Sequence, residues 1–336
     1  MTKILVTGVA GFMGSHIAED LIQRGYEVVG IDNLIGGELD NVPSGVKFLQ
    51  TDLSETFEIR ELFLGVEVVV HAACTAYEGL SVFSPALVTQ NTFQITSSVL
   101  SASVFGGVKK FIYLSSMARY GKQEKIPFEE SALPNPQDPY GIAKLASEQL
   151  VKNVCDTHGM DWSVLVPHNI IGPRQKYDDP YRNVAAIMIN RMLQGKQPII
   201  YGDGNQSRCF SFMQDVVDPI RTVIETNVGN REVINVGPDD EFISINQLAL
   251  IIGQLMKAEN PEPIYVPGRP QEVEKANCSA DKARKLLGYE PKVSLEHGLV
   301  EMINWIRNRG VREFKYHLPL EIVNEKTPRT WVDRLI

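Results

Sequence analysis

Six short apolar runs, KILVTG, YEVVGID, VKFLQTD, VEVVVHAA, KKFIYLSS and WSVLVPHN, recur before residue 170, and the segments between them are long enough for crossover helices. Near-continuous apolar runs of this length belong to strands buried on both faces, so the rhythm predicts a parallel sheet covered by helices on each side. Two of the intervening stretches, SHIAEDLIQRG and YGIAKLASEQLVKNVCDTHG, carry apolar residues at three- and four-residue spacing and stop at glycine, as helices do.

The fold class expected is therefore α/β, a Rossmann-type doubly wound parallel sheet. With 336 residues, 43% of them hydrophobic, there is material for one or two closely packed domains. After Pro167 the texture changes to Asn-, Arg-, Gly- and Pro-bearing loops such as GPRQKYDDPYRN, YGDGNQSRCF and YVPGRPQE, interrupted by helical VAAIMINRMLQ. We divide the chain into a dinucleotide-binding domain over 1–166, a smaller C-terminal α/β substrate-binding cap over 167–310 with some segments returning to the first domain, and a C-terminal arm over 311–336. The arm follows an apparent closing helix, LEHGLVEMINWIRNRG, and lies either over the body or against a second subunit.

Several functions are excluded by composition. The formal net charge is -8 with no long basic run, which argues against a nucleic-acid surface. No stretch of about 18 apolar residues occurs, and MTKILVTGVAG breaks too early at glycine for a secretory core, so no membrane partner is expected. Cys74, Cys155, Cys209 and Cys278 lie far apart without CxxC spacing, which suggests neither a metal site nor a disulfide framework and fits reduced thiols in a cytoplasmic protein.

The stretch VTGVAGFMGSH places Gly8, Gly11 and Gly14 at a strand-to-helix junction. Without Cβ atoms the turn is tight, and backbone N–H groups and the positive end of the following helix, with Phe12 and Met13 in its first turn, face a pyrophosphate. Asp32 ends the second strand, followed by Asn33; a carboxylate there accepts from both ribose hydroxyls and repels a 2′-phosphate, which favours NAD over NADP. Asp52 and Leu53, after the third strand, are expected near the adenine, though an Asp at that point is often only a turn former. In HAAC, Ala72 and Ala73 let a cofactor pass closely, while His71 reads equally as a satisfied core histidine.

In PYGIAK, Tyr140 and Lys144 stand four positions apart on one helix face. The ammonium, with the positive nicotinamide ring, is expected to lower the tyrosine pKa toward that of a general base. Taken together, TGVAGFMGS, the Asp32 strand end, YLSSMARYG and YGIAK resemble the extended short-chain dehydrogenase/reductase family, and within it the NAD-dependent nucleotide-sugar epimerases and dehydratases. The resemblance continues through NIIGPRQ, YGDGNQSRCF, INVGPDDEFIS and PGRPQEVEKANCSADKARKLLGY.

That resemblance implies a catalytic set of Ser116, Tyr140 and Lys144, the last two also touching the cofactor, with Ser115 relegated to capping a strand end through the backbone. It maps a nucleotide-diphosphate-sugar grip onto Asn169, Asn183, Arg208 and Arg269, and places Glu272 at the nucleoside ribose and Ala276 at the sugar's C2 substituent. Asn183 also reads as a helix N-cap. It further implies a homodimer through the helices of QNTFQITSSVLSASVFGG and YGIAKLASEQL.

Where the family's 4,6-dehydratases carry an Asp and a Glu after the catalytic hydroxyl, this chain has Met117 and Ala118, neither able to move a proton. Arg119 replaces an aliphatic residue, and Cys74 stands where a small apolar one is usual, as a buried inert thiol or a modest acid lining the pocket. The expected activity is a nucleotide-sugar 4-epimerase acting through a transient 4-keto sugar, on UDP-hexoses or UDP-N-acetylhexosamines. The alternatives are a 4-dehydrogenase, a decarboxylase or a 5,6-dehydratase of the same family, and outside catalysis a dinucleotide-sensing binding protein.

Overall fold

The computed structural model describes residues 2–336. Its centre is a seven-stranded parallel sheet made of β1 (Lys3–Thr7), β2 (Glu27–Asp32), β3 (Lys47–Gln50), β4 (Val68–His71), β5 (Lys110–Leu114), β6 (Asp161–Pro167) and β7 (Glu232–Val236). The strands lie in the order β7-β6-β5-β4-β1-β2-β3. All six sequence-predicted runs are in it. The order reverses between β1 and β4, and in such sheets the crevice beyond the strand carboxyl ends at the reversal is where ligands bind.

Side chains alternate across each strand, which is why the runs are apolar throughout. Leu5, Val69, Phe111 and Val164 face one layer, with helices α2 (Ile95–Gly106) and α3 (Pro139–His158) over it. Ile4, Val6, Val70, Ile112 and Leu165 face the other, covered by α1 (Phe12–Gln23) and α5 (Met213–Glu225). The start of α3 is fixed locally: Asp138 accepts from the Gly141 N–H at 2.9 Å, Pro139 occupies the first helical position, and the helix ends on left-handed Gly159.

The cap is built on a separate core in which α4 (Val184–Leu193), α6 (Ile245–Met256) and α7 (Leu295–Arg309) bring together Met188, Leu248, Leu299 and Ile303. Between α4 and α6 the chain goes back to the first unit, since α5 packs beside α1 and β7 pairs with β6. The 311–336 arm runs over the body of its own chain. Leu318, Trp331 and Ile336 are buried with Tyr77, Leu80, Phe83, Tyr181 and Ile199. Glu321 accepts from the Ala86 and Leu87 N–H groups at 2.9 and 2.8 Å, and the Tyr181 hydroxyl donates to the Leu318 carbonyl at 3.1 Å.

Candidate active site

One cavity of about 480 Å³ runs from the β1–α1 turn across the strand ends into the cap. At its first end Gly8 adopts φ +71°, and a Cβ there would lie 2.9 Å from the Ala73 backbone. At Gly14 a Cβ would lie 2.1 Å from the Gly8 carbonyl oxygen, so the helix start sits directly on the turn. The first turn of α1, with Phe12 and Met13, has no acidic residue and no side-chain cap. Its N–H groups and the positive end of the helix dipole are therefore left to the cavity, which Gly8, Gly11 and Gly14 line.

Asp32 is 7% exposed and lines the cavity with Asn33. Its carboxylate accepts from the Ala10 and Leu34 N–H groups at 3.0 and 2.7 Å. Burial raises its pKa, and those backbone donors counter the rise. Leu53, Ala72 and Ala73 complete this end. Asp52 does not reach the cavity: it accepts from Asn33 Nδ2 at 2.9 Å and from the Ser54 N–H, a turn-forming carboxylate that holds Asn33 in place. His71 is a satisfied core histidine between the Thr7 and Thr96 hydroxyls at 2.7 and 3.0 Å, and burial lowers its pKa to about 3. A turn with N–H groups left to the cavity, a strand-end carboxylate and small strand-end residues in one groove fit a dinucleotide.

Ser116 and Tyr140 line the same cavity where β5 and α3 meet. Ser116 accepts from the Ala118 N–H at 3.2 Å and lies against the Tyr140 phenol. Lys144 is 2% exposed and donates to the Leu114 carbonyl at 2.8 Å. Burial alone would lower its pKa, but the Cys74 thiol and the Tyr113 and Tyr140 phenols outweigh that and keep it charged.

The expected lowering of the Tyr140 pKa is not what the protein alone produces. Burial pushes the phenol well above its ordinary range, Cys74 and Glu78 add to the rise, and Lys144 and Ser116 oppose it without prevailing. The positive nicotinamide ring in the expectation belongs to the ligand, not to the chain.

Two further expectations change. The Ser115 N–H does pair at the strand end, with the Leu165 carbonyl at 2.7 Å, but its hydroxyl donates to Glu148 at 2.5 Å. Arg119 lies 2.8 Å from the same carboxylate oxygen, in an ion pair whose members are 5% and 1% exposed. This explains the arginine: α3 presents a buried carboxylate one turn beyond Lys144, and Arg119 neutralises it. Cys74 is half-buried, not fully enclosed, and faces the cavity beside Lys144.

At the far end of the cavity lie Asn169, Asn183, Arg208, Arg269, Glu272 and Ala276. Asn169 donates to the Cys209 carbonyl at 2.9 Å. Asn183 is the N-cap of α4, accepting from the Ala185 N–H at 3.2 Å, and borders the cavity as well. Arg208 donates to the Ser207 and Val273 carbonyls at 2.8 and 2.6 Å, and Arg269 pairs with Glu272 at 3.1 Å. Ala276 pairs in register with Arg208 and is 7% exposed, so it both packs on the core and closes the pocket.

The sequence reading missed two carboxyl groups and a cation here. Glu78 opens onto the cavity, and burial together with the charge of Asp138 raises its pKa to about 7, against the pull of Arg208 and Arg269. Asp138 was findable, because Asp-Pro ahead of a helical run is a start signal. Glu78 was not, because it is brought in by a short loop helix with no pattern of its own. Arg182, whose guanidinium lies 4.6 Å from the Tyr77 ring centre, also lines the cavity. Among the described residues no cluster of three or more metal-ligating side chains occurs and no helix is long and apolar enough to cross a membrane.

Comparison with known proteins agrees with this geometry. The UDP-glucose 4-epimerase of Thermotoga maritima, solved with UDP-glucose, is 35% identical and superimposes with a TM-score of 0.87, over 92% of this chain and 99% of its own. A UDP-N-acetyl-alpha-D-glucosaminuronate decarboxylase of Bacillus cytotoxicus is 31% identical over 91% of this chain and 98% of its own. A UDP-glucose 4-epimerase of Mycolicibacterium smegmatis is 30% identical over 92% and 99%. The model of the NAD dependent epimerase/dehydratase family matches residues 4–237, and the chain belongs to that family.

Proposed function

We propose that the protein is a nucleotide-sugar 4-epimerase acting on UDP-hexoses and UDP-N-acetylhexosamines. The observation that carries this reading is the single cavity in which the glycine turn, the Ser116–Tyr140 pair backed by Lys144, and the Arg208 and Arg269 guanidinium groups follow one another. NAD, held by Gly8, Gly11, Gly14 and Asp32, supplies when bound a reversible hydride acceptor at C4 of the sugar. Tyr140 takes the proton of the 4-hydroxyl and gives it back, and Ser116 orients that oxygen. Burial raises the phenol pKa in the protein alone, and Lys144 and Ser116 oppose the rise.

Asn169, Asn183, Arg208 and Arg269 hold the diphosphate, and Glu272 takes the ribose by exchanging its pairing with Arg269. Met117 and Ala118 supply no acid or base beside the sugar, which favours return of the keto sugar over elimination. The small Ala276 leaves room for an N-acetyl group.

Two coarser features complete the reading. The four free cysteines suit a reducing cytoplasm. A homodimer through α2 and α3 would cover Phe105 and Ile142, both about half exposed, and should give twice the chain mass by light scattering. The deciding experiment incubates purified protein with a panel of nucleotide sugars, without added NAD, and reads products by NMR. Interconversion of the 4-epimers is expected; accumulation of a ketone, a pentose or an unsaturated sugar would replace this reading with a dehydrogenase, a decarboxylase or a dehydratase.

A further inference from the structure

The 311–336 arm reaches the cavity through Ile336 and packs on Tyr77, Tyr181 and Ile199. Trp331 is 2% exposed, and its ring meets Tyr181, Phe83 and Tyr201 edge-on or tilted at centroid distances of 5.4, 6.0 and 6.4 Å. The neighbouring Thr330 hydroxyl lies 2.6 Å from the Tyr201 hydroxyl. Tyr201 in turn carries the Arg269 guanidinium 4.8 Å from its ring centre. Arg269 and Trp331 converge on the same point of the Glu78–Ser81 segment: a Cβ placed on Gly79 would lie 3.3 Å from Arg269 Nη1 and 3.5 Å from the Trp331 ring. Ile336 lines the cavity itself and belongs to the cluster that holds Trp331 and Tyr201.

We propose that the C-terminal arm is part of the nucleotide site: Thr330 and Trp331 are positioning residues for the Tyr201–Arg269 pair, and Ile336 forms the wall against which the nucleoside lies. This rests on the reading of the cavity as a nucleotide-sugar site. An arginine on a flexible stem grips a diphosphate well only if its plane is held before the ligand arrives. Here the guanidinium is held over the Tyr201 ring, and Tyr201 is set by an arm hydroxyl on its own oxygen and an arm indole at its ring. Two sides of that aromatic ring are therefore fixed by residues of the arm. The lining also carries the apolar Ile187, Ile199, Ile200 and Ile336, of which Ile199 and Ile336 are buried with Trp331, a surface suited to a planar base and unsuited to a sugar.

The test compares the full-length protein with Trp331→Ala, Trp331→Phe and Thr330→Val, reading UDP affinity by calorimetry, retained NAD by mass spectrometry, and KM and kcat on the sugar converted by the wild type. Trp331→Ala is expected to weaken UDP by about tenfold or more and raise KM in step, with kcat within about twofold and NAD retention unchanged; Trp331→Phe should restore most of the affinity. Folded Trp331→Ala protein that binds UDP as the wild type does would overturn the proposal, as would loss of NAD in parallel with UDP. If Trp331→Ala does not fold, Thr330→Val decides, since it deletes one hydroxyl: UDP affinity should fall a few-fold, and an unchanged value overturns the proposal. Should the sugar panel yield no epimer while UDP affinity still depends on the arm, the epimerase reading fails and this one stands. A wild type that binds UDP no better than inorganic phosphate would end the arm proposal.

Discussion

The two ends of the cavity are built in opposite ways. At the cofactor end the groups offered to a ligand are backbone N–H donors and strand-end residues whose places follow from sheet register; the Gly8 N–H is held by the Ile31 carbonyl at 2.8 Å, next to Asp32. At the nucleotide-sugar end they are long side chains on loops, and most already have a partner within the chain, Arg208 on carbonyls and Arg269 on Glu272. The first end is fixed before any ligand arrives. The second is adjustable, and its order depends on what packs behind it.

The largest effect should come from disturbing the rigid end. In Gly14→Ala the new methyl meets the Gly8 carbonyl oxygen at 2.1 Å, so either the turn or the start of α1 must move. Purified Gly14→Ala protein is expected to carry no retained NAD by mass spectrometry and no turnover, while UDP still binds to the intact cap. Loss of UDP binding in equal measure would show that the two ends are one cooperative unit, and the comparison would fall. Next is Tyr140→Phe, which keeps the buried ring and removes the proton acceptor. Turnover should drop by about a hundredfold or more with both ligands still bound. Near-normal turnover would make Tyr140 a packing residue.

The contrast also explains what the sequence disclosed. The strand rhythm, the glycine turn, Asp32 and the Tyr140–Lys144 spacing are local patterns, each written in a short stretch and enforced by backbone geometry. Six of the seven strands were legible for that reason. β7 was not among them, because EVINV returns to the sheet only after the long excursion through the cap. Arg208 and Arg269 were reached through resemblance, since nothing in a lone arginine says that it faces a cleft. Glu78, Arg182 and Trp331 escaped because their roles arise from which loops meet in space. Asp52 showed its turn role and not a ligand role, because an Asp after a strand satisfies a turn as readily as a ligand. The rise of the Tyr140 pKa in the protein alone was not legible, because burial, invisible in a four-residue spacing, outweighs one nearby ammonium.

A sharper cut at the adjustable end is Ala276→Tyr. Ala276 closes the pocket beside Arg208, and an aromatic ring there fills the space an N-acetyl group needs. Conversion of a UDP-N-acetylhexosamine should fall by about tenfold relative to the plain hexose, a difference of about 1.4 kcal/mol in transition-state binding. Equal losses on both sugars would place the size limit elsewhere in the loops.

The smallest effect tests whether charge at the adjustable end is tunable while the rigid end is indifferent. Glu78 titrates at about 7, raised first by burial and then by Asp138, with Arg208 and Arg269 pulling the other way. A carboxyl raised above its ordinary 4.5 costs the folded state nothing when both states are protonated; the penalty grows as pH rises past 4.5 and is complete above about 7. The ligand-free protein should therefore lose some stability between about pH 5 and 8, and Glu78→Gln should remove that part of the slope. The same ionisation places a negative charge beside Arg208 and Arg269, the proposed diphosphate grip. A UDP-sugar carries no proton that titrates in this range, so its affinity for Tyr140→Phe protein should weaken a few-fold from about pH 6 to 8, through Glu78 alone. Adding Glu78→Gln should flatten that profile and leave NAD retention as it was. A profile that stays steep without Glu78 would assign the titration to Asp138, the other carboxyl of the pair, and would move the adjustable charge from the loop helix to the N-cap of the helix that carries Tyr140.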